Sequence, residues 1–338
     1  MSVRSPTSGQ GGSTDTALWA TLSQNMQMRF AAIWLALVVL LAVGAIFAPR
    51  SIIPSNMLAV IPLAAFLCIT AMGEAIVLMA RGIDLSIPAI MALSSTVLLG
   101  ISGGRDADLV MAILAALAVA TLAGLVNGFL VAIGKLNALI VTLAVGAIIQ
   151  GATLWYREGL PQESSVPPLL SAWGGSRILG INVAVWVAAI LVAILTVILR
   201  KTTYGRRFSA SGANPRAAWI AGIDVPAYQI AAFTLAGFLY GVAGVLVSAF
   251  IRNPTLNVGE PYLLAPIAAA VLGGTAITGG VGSMIAIAGA ALFLTHLGQL
   301  LKMLGLSTAL QFVIYGVAIG LGMALAESRY RNWRGSRS

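Results

Sequence analysis

Residues 200–226 read RKTTYGRRFSASGANPRAAWIAGIDVP and form a long polar interval between two apolar segments. Asp224 is the single acid of this interval, whereas five cations lie in it: Arg200, Lys201, Arg206, Arg207 and Arg216. An excess of Lys and Arg beside apolar spans is typical of a loop on the cytoplasmic side of a membrane. We therefore expect a cytoplasmic loop at 200–227.

A short helix is predicted inside this loop. Asn214 can cap it, Pro215 suits its first position, and Gly222 suits the left-handed residue just past its end. A helix of about two turns is marginal in water by itself, so the apolar side chains of Trp219 and Ile220 need a surface to pack on. Either the helix packs on its own bundle, which composition alone favours, or these side chains enter a groove on a soluble partner.

The composition identifies an integral membrane protein of the all-α class. Soluble proteins have about 25% charged residues, whereas this chain of 338 residues has 9% charged and 59% hydrophobic residues. Cys68 and His296 are the single residues of their types, which excludes disulfides, Cys or multi-His metal sites and Ser-His or Cys-His catalytic pairs. The net charge of +9 is spread between spans and at the tail, so we expect no nucleic acid partner.

About ten transmembrane helices are predicted, some of them broken, because a span needs about 20 apolar residues. The candidate segments are 30–48, 56–80, 85–101, 109–133, 137–156, 182–199, 228–250, 262–278, 283–301 and 306–326. They form one transmembrane domain at 30–326. A disordered cytoplasmic tail is expected at 1–29 and a basic cytoplasmic tail at 327–338.

The positive-inside rule supports an even number of spans with both termini in the cytoplasm. With ten spans, thirteen of the 19 cations fall on the side of the 200–227 loop and six on the other side. The long outer loop 157–181 contains three prolines and a Gly pair, which predicts irregular structure with a short helix at 168–173. This distribution predicts a multi-pass protein embedded in the lipid bilayer.

Carboxylates at the end of the second segment are the first candidates for a functional site. Glu74 lies inside a span, where a carboxylate is costly and usually faces a cavity or a partner. Arg81 follows two helical turns later and is the expected partner. Asp84 is expected to cap the third helix. Gly128–Leu136 is one residue too long for a P-loop and lacks its hydroxyl, so we expect no ATP binding of that kind.

Four sequence blocks resemble the permease subunits of bacterial ATP-binding-cassette importers for ribose, xylose, galactose and similar sugars. The likeness covers about residues 56–326, and its blocks are Gly82–Ser86 (GIDLS), Asn127–Gly128 with Ile140–Leu143 (IVTL), Gly205–Gly222, and Ile267–Thr275 with Gly279–Gly280. The resemblance implies ATPase subunits, an extracytoplasmic solute-binding protein, and a second permease copy or a sister permease as partners.

The resemblance also assigns roles to residues of this chain. The family's coupling helix corresponds to Asn214–Gly222, so the candidates for ATPase coupling are Arg206, Arg207, Asn214, Arg216, Trp219, Ile220 and Gly222. Candidates for the translocation path are Glu74, Asp84, Ser86, Asn127, Gly273, Gly274 and Thr275. Candidates for contacts with the binding protein are Arg157, Arg177 and Arg252. No catalytic residue, metal site or cofactor is expected.

The chain departs from the family pattern at two places. Arg81 stands where the family usually has the first of two glycines, and Ile87-Pro88 replaces Val-Gly. Tyr262–Ala265 reads YLLA where the family often shows Tyr-Glu-Leu-Asp, so two acidic positions are lost. A sugar, a modified sugar, a polyol or another small polar solute therefore remains open as the substrate.

Two other functions remain possible on the residues alone. An ion-coupled secondary transporter could use Glu74 to carry a proton, since that class also places carboxylates and broken helices in mid-membrane. An intramembrane enzyme is disfavoured because no catalytic set of residues is present.

Overall fold

The computed structural model describes residues 32–161 and 165–307 and scattered positions between 309 and 320. The tails predicted at 1–29 and 327–338 lie outside these residues, as does much of the tenth predicted segment at 306–326.

Twelve α-helices lie between residues 32 and 303. They are α1 (Ala32–Phe47), α2 (Pro54–Met79), α3 (Ile87–Ser102), α4 (Leu109–Ala132), α5 (Ala138–Glu158), α6 (Pro168–Gly175), α7 (Val183–Lys201), α8 (Thr203–Ala213), α9 (Pro215–Ile220), α10 (Val225–Ile251), α11 (Ala265–Leu272) and α12 (Met284–Met303). Single 3₁₀ turns occur at Pro49–Ile52, Asp106–Asp108 and Glu260–Tyr262, and a two-residue antiparallel pair joins β1 (Arg177–Ile178) to β2 (Ile181–Asn182).

The all-α membrane architecture is confirmed. Six helices are long and apolar enough to cross a membrane, namely α2, α4, α5, α7, α10 and α12, while α1, α3 and α11 are shorter apolar helices. These nine helices overlap the first nine predicted segments, and the short helix predicted at 168–173 is α6. The polar interval holds two helices rather than the single predicted one, because Thr202 caps an additional helix, α8, by accepting the Gly205 N–H.

Helix α2 lies at the centre of the bundle and packs against α7, α10, α11 and α12. It is apolar all round, and a helix of that kind is stable only when it is surrounded. Helix α10 packs on α3 and α4 at small residues. A Cβ at Gly237 would lie 2.5 Å from the Ala120 carbonyl oxygen and 2.9 Å from the Gly124 Cα, so these backbones touch. The Gly237–Gly244 small-residue pattern therefore serves packing inside one chain.

Two non-helical segments, one break after α2 and one after α11, lie at the same end of the bundle. The first follows Met79, where Arg81 takes a left-handed φ of 64° before the chain resumes as α3. The second separates α11 from α12 and contains left-handed glycines at 274, 279 and 280. The Gly280 N–H donates to the Met79 carbonyl oxygen at 2.9 Å, so the two breaks are in contact.

The segments assigned to the opposite side cluster at the other end of the bundle. The Leu169 N–H donates to Asp106 Oδ1 at 2.9 Å, and the Val166 N–H donates to the Arg252 carbonyl oxygen at 3.0 Å. The segments predicted as outer loops thus lie at one end of the bundle and contact one another.

We expect Gly237→Ala to lower the free energy of unfolding by about 1–3 kcal/mol, because the added methyl group forces α4 and α10 apart. Gly151→Ala is the matched control: Gly151 lies on α5 with open space where a Cβ would be, and Ala favours a helix over Gly by about 1 kcal/mol. Thermal unfolding of the purified variants measures both effects. Equal melting temperatures for Gly237→Ala and the parent would contradict the close packing of α4 on α10.

Candidate functional site

A buried polar cluster joins α2, α4 and α10 to the segment between α2 and α3. The Asp84 N–H donates to Glu74 Oε2 at 3.3 Å, and the Tyr240 hydroxyl donates to the same oxygen at 3.4 Å. Asp84 Oδ1 accepts from the backbone N–H and the hydroxyl of Ser86, and Asn127 Nδ2 donates to Ser86 Oγ at 2.9 Å. Four predicted path residues, Glu74, Asp84, Ser86 and Asn127, are thereby brought together.

This cluster supplies hydrogen bonds that the helix break has removed. Backbone N–H groups inside a membrane bundle must find partners within the protein. Glu74 accepts from the Asp84 N–H, Thr142 Oγ1 accepts from the Leu85 N–H at 3.1 Å, and Asp84 itself accepts from the Ser86 N–H. Three consecutive backbone donors are therefore satisfied by side chains.

Two members of the cluster were not predicted, and one predicted role is wrong. Tyr240 lies inside the Gly237–Gly244 small-residue pattern of α10, which indicates packing only, while Thr142 was noted only within the IVTL block. Asp84 does not cap α3, because the cap residue is Ser86. Asp84 lies two residues before this cap, where its carboxylate accepts from the Ser86 N–H and closes a local turn.

The predicted pair between Glu74 and Arg81 is also wrong. Arg81 Nε donates to the Gly212 carbonyl oxygen at 2.6 Å, and its terminal nitrogen donates to the Ala213 carbonyl oxygen at 2.7 Å. Two-turn spacing holds only within a helix, but α2 ends at Met79, and the left-handed Arg81 directs its side chain to the last turn of α8. A cation at this point also suits the negative end of a helix dipole.

The other three predicted path residues belong to the second break. A Cβ at Gly273 would lie 2.9 Å from the Ile287 Cα, so this position permits close approach of α11 to α12. Gly274 has a left-handed φ of 83°, and the Thr275 N–H donates to the Ala270 carbonyl oxygen at 3.0 Å. These contacts of the three residues are with α11 and α12, and they indicate a structural role. The prediction that a solute passes these three residues and the four of the Glu74 cluster stays a prediction. In this conformation the Glu74 cluster is fully buried, so no open path reaches it through the part of the chain that the structure describes.

The short helix α9 is built as predicted. Asn214 Oδ1 accepts from the Ala217 N–H at 3.1 Å, and Gly222 closes the helix with a φ of 77°. Ala218 is buried, whereas Trp219 is 70% and Ile220 is 73% exposed. The interpretation in which these two side chains pack on the bundle is therefore wrong. The three arginines predicted for ATPase coupling, Arg206, Arg207 and Arg216, are also exposed.

At the other end of the bundle, the three candidate contacts for a binding protein differ in exposure. Arg177, on β1, and Arg252, at the end of α10, are exposed. Arg157 is half-buried in the last turn of α5. The first two are therefore better placed to meet a partner than the third.

Comparison with known proteins adds independent findings. Residues 56–321 match the family model described as branched-chain amino acid transport system / permease component. The ribose import permease protein of Bacillus subtilis (strain 168) is 34% identical over 299 residues, covering 88% of this chain and 92% of that protein. That of Escherichia coli (strain K12) is 32% identical over 298 residues, covering 87% and 92%. The autoinducer 2 import system permease protein of Escherichia coli (strain K12 / DH10B) is 33% identical over 276 residues, covering 79% and 78%.

We expect Arg81→Ala to lower the free energy of unfolding by about 2 kcal/mol, because hydrogen bonds from a charged donor are lost. Arg81→Gly removes the same bonds but relieves the left-handed backbone, so its loss should be smaller by about 1 kcal/mol. Chemical denaturation of the purified variants measures the difference. If Glu74→Gln rescued Arg81→Ala, the stabilising partner of Arg81 would be Glu74 after all.

Proposed function

Because the chain belongs to the branched-chain amino acid transport system / permease component family, we propose that it forms the translocation path for a sugar or a similar small polar solute. It is the permease subunit of an ATP-binding-cassette importer, a transport component without catalytic activity of its own. The proposed solute class follows from the ribose and autoinducer 2 permeases to which the chain is similar. The YLLA segment at 262–265 supports a solute other than the commonest sugars.

The observation that carries the proposal is the exposed apolar pair on α9. A capped helix with Trp219 and Ile220 in solvent, inside a loop with five cations, has the features of a docking element. We propose that α9 is the coupling helix and that an ATPase subunit covers this pair. A permease dimer, formed with a second copy or a sister permease, would then present two such helices to two ATPase subunits.

The contacts of Arg81 suggest how a movement of the ATPase reaches the membrane interior. α9 follows α8 with Asn214 alone between them. Arg81 ties the end of α8 to the end of α2, and the chain re-enters the buried cluster only three residues later. We propose that a displacement of α9 shifts α8, and with it the helix break that holds Asp84.

We further propose ten spans with both termini in the cytoplasm of a bacterial cell. Family membership and six long apolar helices establish a multi-pass inner-membrane protein, and the cation distribution supports the orientation. In this orientation Arg177 and Arg252 face the extracytoplasmic side, where we propose that they attract acidic residues of a solute-binding protein. Arg157 is retained as a weaker candidate because it is half-buried.

We expect Trp219→Ala to weaken ATPase association by about thirtyfold, because exposed tryptophans that become buried at an interface are frequent hot spots. Trp155→Ala is the matched control, since Trp155 is 77% exposed on α5 near the opposite end. Co-purification of the ATPase with each variant, after confirming membrane insertion, measures the effect. Unchanged recovery with Trp219→Ala would remove α9 from the docking surface.

We expect solute uptake into vesicles to require internal ATP and to continue when the proton gradient is collapsed. Glu74→Gln should preserve this uptake, because the amide oxygen can still accept one of the hydrogen bonds made by Asp84 and Tyr240. The ion-coupled alternative, which the comparisons do not favour, predicts the reverse. Normal expression of Glu74→Gln with abolished uptake, and a parent that follows an imposed proton gradient, would establish that alternative.

A further inference from the structure

A cavity of about 450 Å³ opens beside the coupling loop, between the start of α8 and the start of α10. Its polar lining comes from Thr203, Tyr204, Arg207, Asp224 and Tyr228. We call it the head cavity. The Trp219 and Ile220 side chains, which carry the proposed docking surface, do not line it, whereas Arg207 and Gly222 belong both to its lining and to the residues predicted for ATPase coupling.

The head cavity presents one positive and one negative side chain that do not neutralise each other. Within residues 32–161 and 165–307, the one ion pair joins Arg105 to Asp108. Arg207 and Asp224 therefore each lack a charged partner in this part of the chain. Asp224 Oδ1 accepts from the Ala227 N–H at 3.1 Å as the cap of α10, which leaves its second oxygen available. Two separated charges of opposite sign fit a zwitterionic ligand.

An apolar groove continues from the head cavity towards the middle of the bundle. It has a volume of about 110 Å³, and its lining includes Ile76, Leu195, Ile198, Leu199, Phe208 and Leu235. Tyr204, Tyr228 and Ala231 line both spaces. The rings of Tyr204 and Tyr228 meet edge to face with centroids 6.2 Å apart. Tyrosine is enriched where a membrane protein passes from hydrocarbon to headgroup.

We propose that the head cavity and this groove bind one phospholipid with a primary ammonium headgroup, such as phosphatidylethanolamine. Arg207 holds the phosphate through charge-assisted hydrogen bonds, Asp224 accepts from the ammonium group, and the first few methylene groups of one acyl chain lie in the groove between α7 and α10. A glycerol headgroup has no cation for Asp224, and a choline group cannot donate hydrogen bonds to it. Placement in the cytoplasmic leaflet rests on the orientation proposed above.

The site can be tested with the full-length chain purified without its ATPase. Native mass spectrometry with phosphatidylethanolamine, phosphatidylglycerol and phosphatidylcholine of equal chain length measures retention of one lipid. We expect the ethanolamine lipid to bind about fivefold more tightly than the other two, since one charged contact near a membrane surface has about that effect. Asp224→Asn keeps the helix cap and should abolish the preference over phosphatidylglycerol. Arg207→Gln should weaken the binding of phosphatidylethanolamine and of phosphatidylglycerol about fivefold, because both carry the phosphate that Arg207 holds.

Two variants control for lipid that merely surrounds the protein. Lys135→Gln removes an exposed cation from the same end of the bundle, and Ala193→Trp adds bulk to an exposed position of α7; neither residue lines the two spaces. Ala231→Trp fills the junction and should abolish retention, whereas both controls should retain the lipid. Equal losses in control and site variants would overturn the proposal.

The remaining outcomes separate this proposal from the docking of α9. Equal retention of the three lipids by the parent chain would overturn the lipid site and leave the Trp219 co-purification result untouched. Cross-linking of an Ala227→Cys variant to the ATPase in the assembled complex, with no lipid retained by the chain alone, would overturn the lipid site and assign the head cavity to protein. Selective retention would stand even if Trp219→Ala did not affect ATPase association.

Discussion

A backbone N–H without water nearby needs a partner inside the protein, and the segment between α2 and α3 is built around this requirement. Once α2 ends at Met79, the chain runs without regular secondary structure through residues 82–86 within the bundle and cannot use helical hydrogen bonds. Glu74, Thr142 and Asp84 accept from the three donors that result. The acidic residues of this region are thereby explained by the backbone they satisfy, whatever else they do during transport.

Arg81 replaces a glycine of the family pattern and thereby changes how the break after α2 is connected to α8. A glycine would adopt the left-handed conformation at this position without cost. An arginine in that conformation carries a steric cost, which other interactions must offset. Its two hydrogen bonds to Gly212 and Ala213 provide that compensation and attach the helix break to the last turn of α8. The contact of Gly280 with Met79 adds the second break to the same end of the bundle.

Helix positions and helix ends depend on local sequence and could be predicted. Side-chain contacts beyond a helix end depend on the direction the chain takes there and could not. Apolar length located the helices, and Asn214 with Gly222 located both ends of α9. The partner of Arg81 was missed because helical spacing was extended past the end of α2, where a left-handed residue turns the chain. Tyr240 was missed because it lies within a pattern of glycines at packing spacing, and such a pattern gives no sign that one hydroxyl within it reaches a carboxylate on another helix. The exposure of Trp219 could be learned only from the structure, since an apolar two-turn helix has the same sequence whether or not its own bundle covers it.

The exposed pair on α9 has a consequence for the supply of subunits in the cell. A permease made in excess of its ATPase leaves Trp219 and Ile220 in the aqueous phase, and exposed apolar patches of this kind promote aggregation. Proteases and chaperones respond to the same feature, so an unassembled permease is marked by the residues that assembly would hide. The surface proposed for energy coupling thus also limits how much uncoupled permease can accumulate.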